Sequence, residues 1–273
     1  MKRGLCPAKR YFCVLPENDT VAAEHPNPDQ TMPAARLNAP ARLSSQDNIA
    51  AVLGAEILSG ARKPGERMPT DAEMLKKFGV SRVVTREIIK TLAAKGMVTS
   101  KMKLGTLVLD PSNWNWLDRD VLSWRVSVGL DLEFMAQITS VRRAVEPLAA
   151  SLAARNHTRA DIAKLRQAIT AMAEAKTDRR QFAEADLHFH MAVSAISRNP
   201  FFQSFAGVIG TALSVVLAFN AEADSPKMQA STVARHAAVV DAIEAGDEDA
   251  AAKAMLYTVD NGLAHAKRAR KRM

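Results

Sequence analysis

One short segment, residues 64–109, limits what this chain of 273 residues can fold into, because it encodes two helices, a turn and a hairpin in succession. Thr70 and Glu73 have the spacing of a capping box, in which the hydroxyl accepts from an amide at the helix start and the carboxylate reaches back. We expect this helix to end at Gly79, since glycine readily adopts the left-handed backbone that follows many helices. Ser81 is then placed to cap a second helix.

The helix after Ser81 has two opposed faces. Aliphatic residues recur at every fourth position on one face: Val84, Ile88 and Leu92. Cationic residues recur with the same period on the other face: Arg82, Arg86 and Lys90. At roughly 100° per residue the two rows are displaced by about 200°, so the pattern predicts one buried face and one cationic, exposed face.

Residues 97–109 alternate loosely between apolar and polar side chains around Gly105, as a two-stranded hairpin does. Lys101 and Lys103 fall at its expected tip. Helix, turn, helix and hairpin together predict a winged helix-turn-helix, in which guanidinium groups of the second helix reach base edges or phosphates in the major groove.

Charge is distributed unevenly along the chain. Residues 49–109 contain 11 Lys or Arg against 5 Asp or Glu, whereas residues 110–273 contain 20 against 19. A basic excess confined to one small domain is typical of nucleic-acid binding. Two alternatives stay open at this point: a merely solvated basic helix face, and a non-specific nucleic-acid-binding protein, favoured by the basic run at residues 267–272.

Composition excludes several other classes of protein. The longest apolar stretch, residues 208–219, is shorter than the roughly 20 residues of a membrane span. Both cysteines, Cys6 and Cys13, lie within residues 1–44, so the rest of the chain has neither a disulfide framework nor a cysteine-based zinc site. That segment also holds 6 prolines without sustained periodicity, and we expect a disordered tail. No signal-peptide core follows Met1, so a cytoplasmic protein is expected.

The remainder of the chain is rich in alanine and in amphipathic segments divided by capping residues, which predicts a helical bundle. The expected fold is therefore mainly α, an N-terminal winged helix-turn-helix followed by an all-α ligand domain. The expected divisions are a tail at 1–44, the winged helix-turn-helix at 45–110, a linker helix at 111–129, the helical domain at 130–268 and a basic tail at 269–273.

Charged side chains occupy a predicted core face in this helical part. Asp186 and His190, spaced i and i+4, lie on one stripe with Phe189 and Val193, and His236 shares its face with aliphatic residues. Burying an unpaired carboxylate costs several kcal/mol, so a partner must compensate it. A divalent metal would do so. The alternative is an Asp–His hydrogen bond with a satisfied core histidine.

Several motifs together resemble the GntR superfamily of transcription regulators, and within it the FadR branch, whose ligand domain is an all-helical bundle. In the head these are Pro69, Glu73, Phe78-Gly-Val-Ser81-Arg82, Arg86-Glu87, Leu92, Gly96 and Gly105-Thr106. In the helical part these are Trp114 to Trp124, Val141-Arg142, Val145-Glu146-Pro147, Glu184-Ala-Asp186 and His190. Within the branch the chain is most similar to repressors of galactonate and related sugar-acid operons, over about residues 46–265.

The resemblance implies roles for residues of the head. Ser81, Arg82 and Arg86 match positions that contact operator DNA. The wing segment that enters the minor groove is matched by Lys101, Lys103 and Gly105. Ala72 departs from the family pattern, because many members have an arginine there, so the operator sequence of a relative does not transfer.

The resemblance also implies a ligand site. Asp186, His190 and His236 match residues that bind a divalent metal, with zinc the expected ion and nickel or manganese the alternatives. Thr258 stands where the family motif has a further histidine. This departure implies either a coordination position left to water or effector, or weakened metal binding. Arg142 matches a position implicated in effector binding, and its guanidinium suits the carboxylate of a sugar acid.

The sequence therefore predicts a homodimeric, sequence-specific regulator that binds double-stranded operator DNA and is released by a small carboxylate effector. A repressor of a galactonate-like catabolic operon is the expected role, without an organic cofactor or a membrane partner. Response to a different organic acid is the first alternative. A metal-dependent enzyme is the second, although no motif supplies a general base.

Overall fold

The computed structural model describes residues 45–129, 132–175, 178–219 and 226–270. The predicted tail at 1–44 and residues 271–273 of the predicted basic tail lie outside the described residues. The described part contains ten α-helices and one two-stranded sheet, which confirms the mainly α fold. The elements are α1 (Ser45–Leu58), α2 (Asp71–Phe78), α3 (Arg82–Ala94), β1 (Val98–Lys101), β2 (Gly105–Val108), α4 (Arg119–Val128), α5 (Leu132–Asn156), α6 (Arg159–Glu174), α7 (Arg179–Ile196), α8 (Pro200–Phe219), α9 (Pro226–Glu244) and α10 (Glu248–Arg270).

Elements α1 to β2, residues 45–109, form the head around one apolar core. The predicted capping box is present in full, with Thr70 accepting from the Glu73 amide and Glu73 accepting from the Thr70 amide. Gly79 follows α2 with φ at 68°, in the left-handed region, and this turn directs the chain into α3. Ile88 and Leu92 of α3 are fully buried in the core, as their spacing predicts.

The hairpin is antiparallel and pairs Val98 with Val108 and Lys101 with Gly105. A third stretch of backbone joins it, since Arg67 forms a bridge with Leu107 beside strand β2. Lys103 lies at the tip with a positive φ of 66°. The segment before α2 is thereby fixed to the hairpin, a pairing that alternation within the hairpin alone does not reveal.

The segment between the head and the bundle contains less α-helix than the predicted linker helix at residues 111–129. A 3₁₀ turn spans Pro111–Asn113, and the α-helix α4 begins only at Arg119. Asp118 caps α4 by accepting from the amides of Asp120 and Val121. This cap explains why α4 begins at Arg119, because an aspartate that accepts from the first free amides fixes the start of a helix there.

Helices α5 to α10 form the bundle. Helix α5 packs along α10, α6 packs against α7, and α9 packs against both α10 and α6. Alanines of α5, aliphatic residues of α9 and Phe189 of α7 fill the core between them. A smaller apolar cluster joins α4 to the bundle through Leu122 and Val126, which meet Phe134, Ile138 and Ile209. Among the described residues, no helix combines the length and apolar character that crossing a membrane requires.

Candidate functional site

The outer face of α3 presents unburied cations at its N-terminal end. The Arg82 side chain is 84% exposed, with Nε 4.0 Å from an oxygen of Asp71, and Arg86 is exposed as well. Val83, between them in the chain, is 71% exposed. The sequence pattern missed Val83, although an aliphatic residue adjacent to the cationic row was visible. An apolar side chain at this place suits the methyl group of thymine.

The remaining residues predicted on this face have partners. Ser81 caps α3 by accepting from the Val84 amide at 3.4 Å. Lys90, one turn beyond Arg86, donates to Glu87 at 2.7 Å. The contact of Arg82 with Asp71 is long and exposed, whereas Lys90 is closely paired with Glu87, so positive charge is concentrated where a groove-binding helix has its N-terminal turns.

A cleft separates α3 from the hairpin. Its lining includes Arg86, Lys90, Lys103 and Gly105, and also Arg67 from the segment beside strand β2. Arg67 is exposed, and its carbonyl oxygen accepts from Arg62 at 2.7 Å, so the backbone is held while the guanidinium faces solvent. The sequence analysis missed Arg67. Only the pairing of its segment with the hairpin brings it beside the cations of α3.

The helical bundle contains a buried cluster of ionisable groups. Asp186 and His190 of α7 and His236 of α9 are 6%, 5% and 2% exposed. His236 Nε2 lies 2.9 Å from Asp186 Oδ1 and 3.4 Å from His190 Nε2, and His190 Nε2 lies 3.9 Å from Asp186 Oδ1. The structure therefore brings together the three residues in which the sequence analysis predicted a metal site.

The outer nitrogens of both imidazoles face oxygen atoms. His236 Nδ1 lies 2.8 Å from the Thr232 carbonyl oxygen, to which it donates, and Nε2 of the same ring faces Asp186 and His190. His190 Nδ1 lies 2.9 Å from Glu146 Oε2, without the alignment of a hydrogen bond. An imidazole held in this way by a carbonyl or carboxylate is the usual arrangement around a bound metal.

Arg142 of α5 closes the cluster. Its Nε and Nη2 donate to the two carboxylate oxygens of Glu146 at 2.5 and 3.1 Å, and Nη2 lies 3.3 Å from His190 Nε2. Arg142 and Glu146 are both 7% exposed. The sequence analysis quoted Glu146 as a motif residue but gave it no role. Its i, i+4 spacing from Arg142 on a helix was the signal for this pair.

The two carboxylates of this cluster are ionised. Burial by itself would raise the pKa of Glu146, but the Arg142 guanidinium and His190 outweigh it and lower that pKa to about 2. Burial opposes ionisation of Asp186 as well, yet His236, His190 and Arg142 hold its pKa well below the usual range. Two carboxylates face one guanidinium, and a further positive charge would balance the second carboxylate.

Thr258 on α10 and Val141 on α5 are two further residues that the sequence singled out in the helical part. Thr258 is buried on α10, which packs against α5 and α9, and its hydroxyl donates to the Ala254 carbonyl at 2.9 Å. Val141, the chain neighbour of Arg142, is 42% exposed. Helix α5 turns Ile138, Arg142 and Glu146 inward at intervals of four residues, and Val141 lies off that face.

Comparison with known proteins agrees with this division of the chain. The family model described as bacterial regulatory proteins, gntR family, matches residues 45–108, and the FCD domain model matches residues 137–261. The galactonate operon transcriptional repressor of Escherichia coli is 34% identical over 80% of this chain and 94% of its own length. The chain belongs to the GntR family of transcription regulators.

Other relatives of this GntR chain have a similar extent. The HTH-type transcriptional regulator YieP of Escherichia coli is 34% identical over 78% of this chain and 93% of its own length. A solved structure titled as Lar, which controls the agr system of Listeria monocytogenes, is 19% identical with a TM-score of 0.57. It covers 83% of this chain and 98% of that one, and supports the fold alone.

Membership fixes the class of function. Proteins of this family are transcription regulators and not enzymes, which excludes the metal-dependent enzyme. GntR regulators bind operator DNA and small-molecule effectors, generally as dimers, and FCD domains sometimes bind metals.

The buried pair of Arg142 and Glu146 yields a stability prediction. We expect Glu146→Ala to lower the free energy of unfolding by about 3–5 kcal/mol, because it leaves a buried guanidinium without its counter-ion. The matched control is Glu248→Ala, which breaks the exposed pair with Arg155, whose side chains are 62% and 35% exposed, and costs much less. Urea denaturation of both variants measures the difference. Equal losses would contradict the internal role of Glu146.

Proposed function

We propose that this chain is a sequence-specific, homodimeric repressor of a sugar-acid catabolic operon, released from its operator by a galactonate-like effector. The observation that supports DNA reading most directly is α3, with Ile88 and Leu92 buried and Arg82 and Arg86 exposed at its start. The proposed effector class comes from the similarity to the galactonate operon transcriptional repressor. A cytoplasmic location follows from the need to reach DNA.

In the proposed complex, α3 lies in the major groove. Arg82 and Arg86 pair with guanine edges or bind phosphates. Val83 contacts a thymine methyl, and the Ser81 hydroxyl donates to a phosphate of the DNA backbone. The wing residues Lys101, Lys103 and Gly105 follow the adjacent minor groove. Arg67, between the helix and the wing, faces the phosphates of the strand that separates the two grooves. In this proposal α3 reads the bases, and the surrounding cations position the head on the DNA through phosphate contacts.

Two copies associated through their helical domains would present two such helices to a pseudo-palindromic operator. In dimeric helix-turn-helix proteins the half-sites lie about 34–36 Å apart, one turn of DNA. The spacing that this dimer prefers then depends on how each head is held against its bundle. The dimer therefore converts an orientation of α3 into a preference for particular DNA.

The donor set of the buried cluster fits a divalent metal. Ligands that share one tetrahedral zinc at about 2.0–2.2 Å lie about 3.3 Å apart, close to the separations among Asp186, His190 and His236. A bound metal would supply Lewis acidity toward carboxylate and hydroxyl oxygens. Asp186 and the two Nε2 atoms would hold it, while Thr232 and Glu146 orient the rings. The metal would also balance the second carboxylate.

Arg142 is the proposed anchor of the effector carboxylate. Its guanidinium is already bound to Glu146, so an incoming carboxylate must share that fork or replace Glu146 on one side. Either change alters contacts of α5 with His190 on α7. Effector binding is thereby coupled to the packing of the bundle helices. By linkage, the factor by which effector weakens operator binding equals the factor by which operator weakens effector binding.

The DNA-reading role is tested with Arg86→Ala. We expect a loss of about 1–3 kcal/mol in specific operator binding, confined to certain base pairs, because a bidentate contact to a base is removed. Arg67→Ala should instead weaken binding to all sequences alike and reduce the salt dependence by about one phosphate contact. Binding titrations at several salt concentrations, with an operator selected from random DNA, measure both effects.

The control for this experiment is Arg159→Ala, an exposed arginine at the start of α6 in the bundle. It removes the same charge and should leave operator affinity unchanged. If Arg86→Ala and Arg159→Ala had equal effects, the assignment of α3 as the reading helix would be wrong.

The effector role is tested with D-galactonate at fixed salt. We expect it to weaken operator binding by the wild-type chain by about 5- to 150-fold, the usual range of coupling between two sites. Arg142→Lys should bind the operator normally and lose this response, since lysine lacks the bidentate fork. Arg143→Lys, at the exposed neighbouring position paired with Asp260, is the matched control and should respond as the wild type does. An unchanged wild-type affinity would remove galactonate as the effector.

The metal is tested by elemental analysis of the purified chain. We expect about one equivalent of zinc, nickel or manganese per chain, and loss of that metal in His236→Ala, because the Nε2 donor is gone. His188→Ala removes an exposed histidine of the same helix as His190 and should retain the metal. A metal-free wild type after dialysis against zinc would instead support a metal-free Asp186–His236 pair.

A further inference from the structure

Lys95 is a buried lysine at the C-terminal end of the DNA-reading helix. It is the C-cap residue of α3 and is 7% exposed. Its Nζ donates to Asp118 at 2.8 Å and to Asp120 at 2.7 Å, and lies 5.4 Å from the centre of the Trp124 ring. Asp118 caps α4, and Asp120 and Trp124 lie within it, so one ammonium group joins two helices.

The same junction is closely packed on the side of α1. Trp124 of α4 lies flat against Gly54, where a Cβ would collide with the ring. The backbone is tied as well, because the Asn115 amide donates to the Lys95 carbonyl at 2.9 Å. Charge-assisted hydrogen bonds from a buried ammonium group, next to close apolar packing, resist displacement more than either interaction does separately. The C-terminal end of α3 is therefore fixed to α4.

Helix α4 continues this connection into the bundle. It packs against α8, where Arg119 approaches Gly207 and the apolar residues Leu122 and Val126 contact Ile209. One turn away, Gly210 of α8 receives the side chain of Leu187. Leu187 is the chain neighbour of Asp186 in the buried cluster. Packing of α7 against α8 and of α8 against α4 thus connects the helix that carries Asp186 and His190 with the helix that holds Lys95.

We propose that Lys95 is the positioning residue that holds α3 at one orientation to α4, so that the state of the helical domain sets the spacing at which two heads engage DNA. This inference rests on the proposed dimeric regulator. Lys95 does not contact bases in this proposal, because its ammonium group is buried and paired with Asp118 and Asp120. Its effect is on the geometry of reading, whereas Arg82 and Arg86 determine which bases are read.

Removal of the ammonium group should loosen the junction without unfolding it. In Lys95→Met the aliphatic stem stays against Trp124, while Asp118 keeps the amides of Asp120 and Val121 as donors. Asp120 has a side chain that is 63% exposed, so water solvates it. The head core and the outer face of α3 are not touched. The base preferences of each half-site should therefore survive.

The experiment uses the full chain and an operator selected from random DNA. Versions of this operator have the half-sites moved apart or together by one or two base pairs, with the half-site sequences unchanged. We expect the wild type to lose about tenfold or more in affinity for a two-base-pair change, comparable to losing a base contact. For the same two-base-pair change, Lys95→Met should lose about threefold or less in affinity, and its base preferences within each half-site should be unchanged.

Matched variants separate positioning from stability. Lys95→Arg keeps a cation with two donors and should restore the discrimination by spacing. Asp120→Asn removes one exposed partner and should relax discrimination even if Lys95→Met folds poorly. Lys164→Met, at an exposed lysine of α6, should behave as the wild type does.

The possible outcomes divide cleanly. Relaxed spacing in Lys95→Met and Asp120→Asn with normal half-site preferences supports the inference. Wild-type discrimination in both folded variants overturns it, and so does a wild type that tolerates every spacing. Loss of base preferences in the wild type would be a failure of the proposed function, recognisable because no operator would be selected at all.

Discussion

Helix α3, which we propose reads the DNA, is held by two different kinds of interaction on which the arrangement of the head and the bundle depends. Its inner face is apolar and belongs to the core of the head, where Ile88 and Leu92 are fully buried. Its C-terminal end is held to α4 by ion pairs, because Lys95 binds Asp118 and Asp120. The first interaction fixes the shape of the head and leaves cations outward, and the second relates that head to the bundle.

Buried charge in the bundle imposes the second constraint. Arg142, Glu146 and Asp186 are removed from water together with two histidines, and such a group is costly unless its charges balance. Replacing the group by aliphatic residues of similar size would be neutral or stabilising in many proteins. A charged core of this kind therefore fits the proposed ligand site better than a role in stability alone.

Local features were predictable from sequence, and contacts between distant segments were not. The capping box of Thr70 and Glu73 spans four residues, and the faces of α3 repeat within one helix, so a periodic pattern contains all the information. Asp186, His190 and His236 were found because charge on an apolar face is conspicuous. The Lys95 cluster joins residues more than twenty positions apart, and the place of Arg67 depends on a backbone bridge to Leu107. Neither leaves a periodic signal.

The stiffness of the junction between α3 and α4 limits how far effector and operator can influence one another. A junction that bends freely would let each head find its half-site whatever the bundle does, and the coupling free energy would vanish. A stiff junction transmits each change of the bundle to the DNA contacts. The free energies of operator binding with and without effector then differ by the energy needed to strain the junction. Coupling of about 1–3 kcal/mol is of the same order as a few charge-assisted hydrogen bonds. The ion cluster at Lys95 has the strength that such a joint requires.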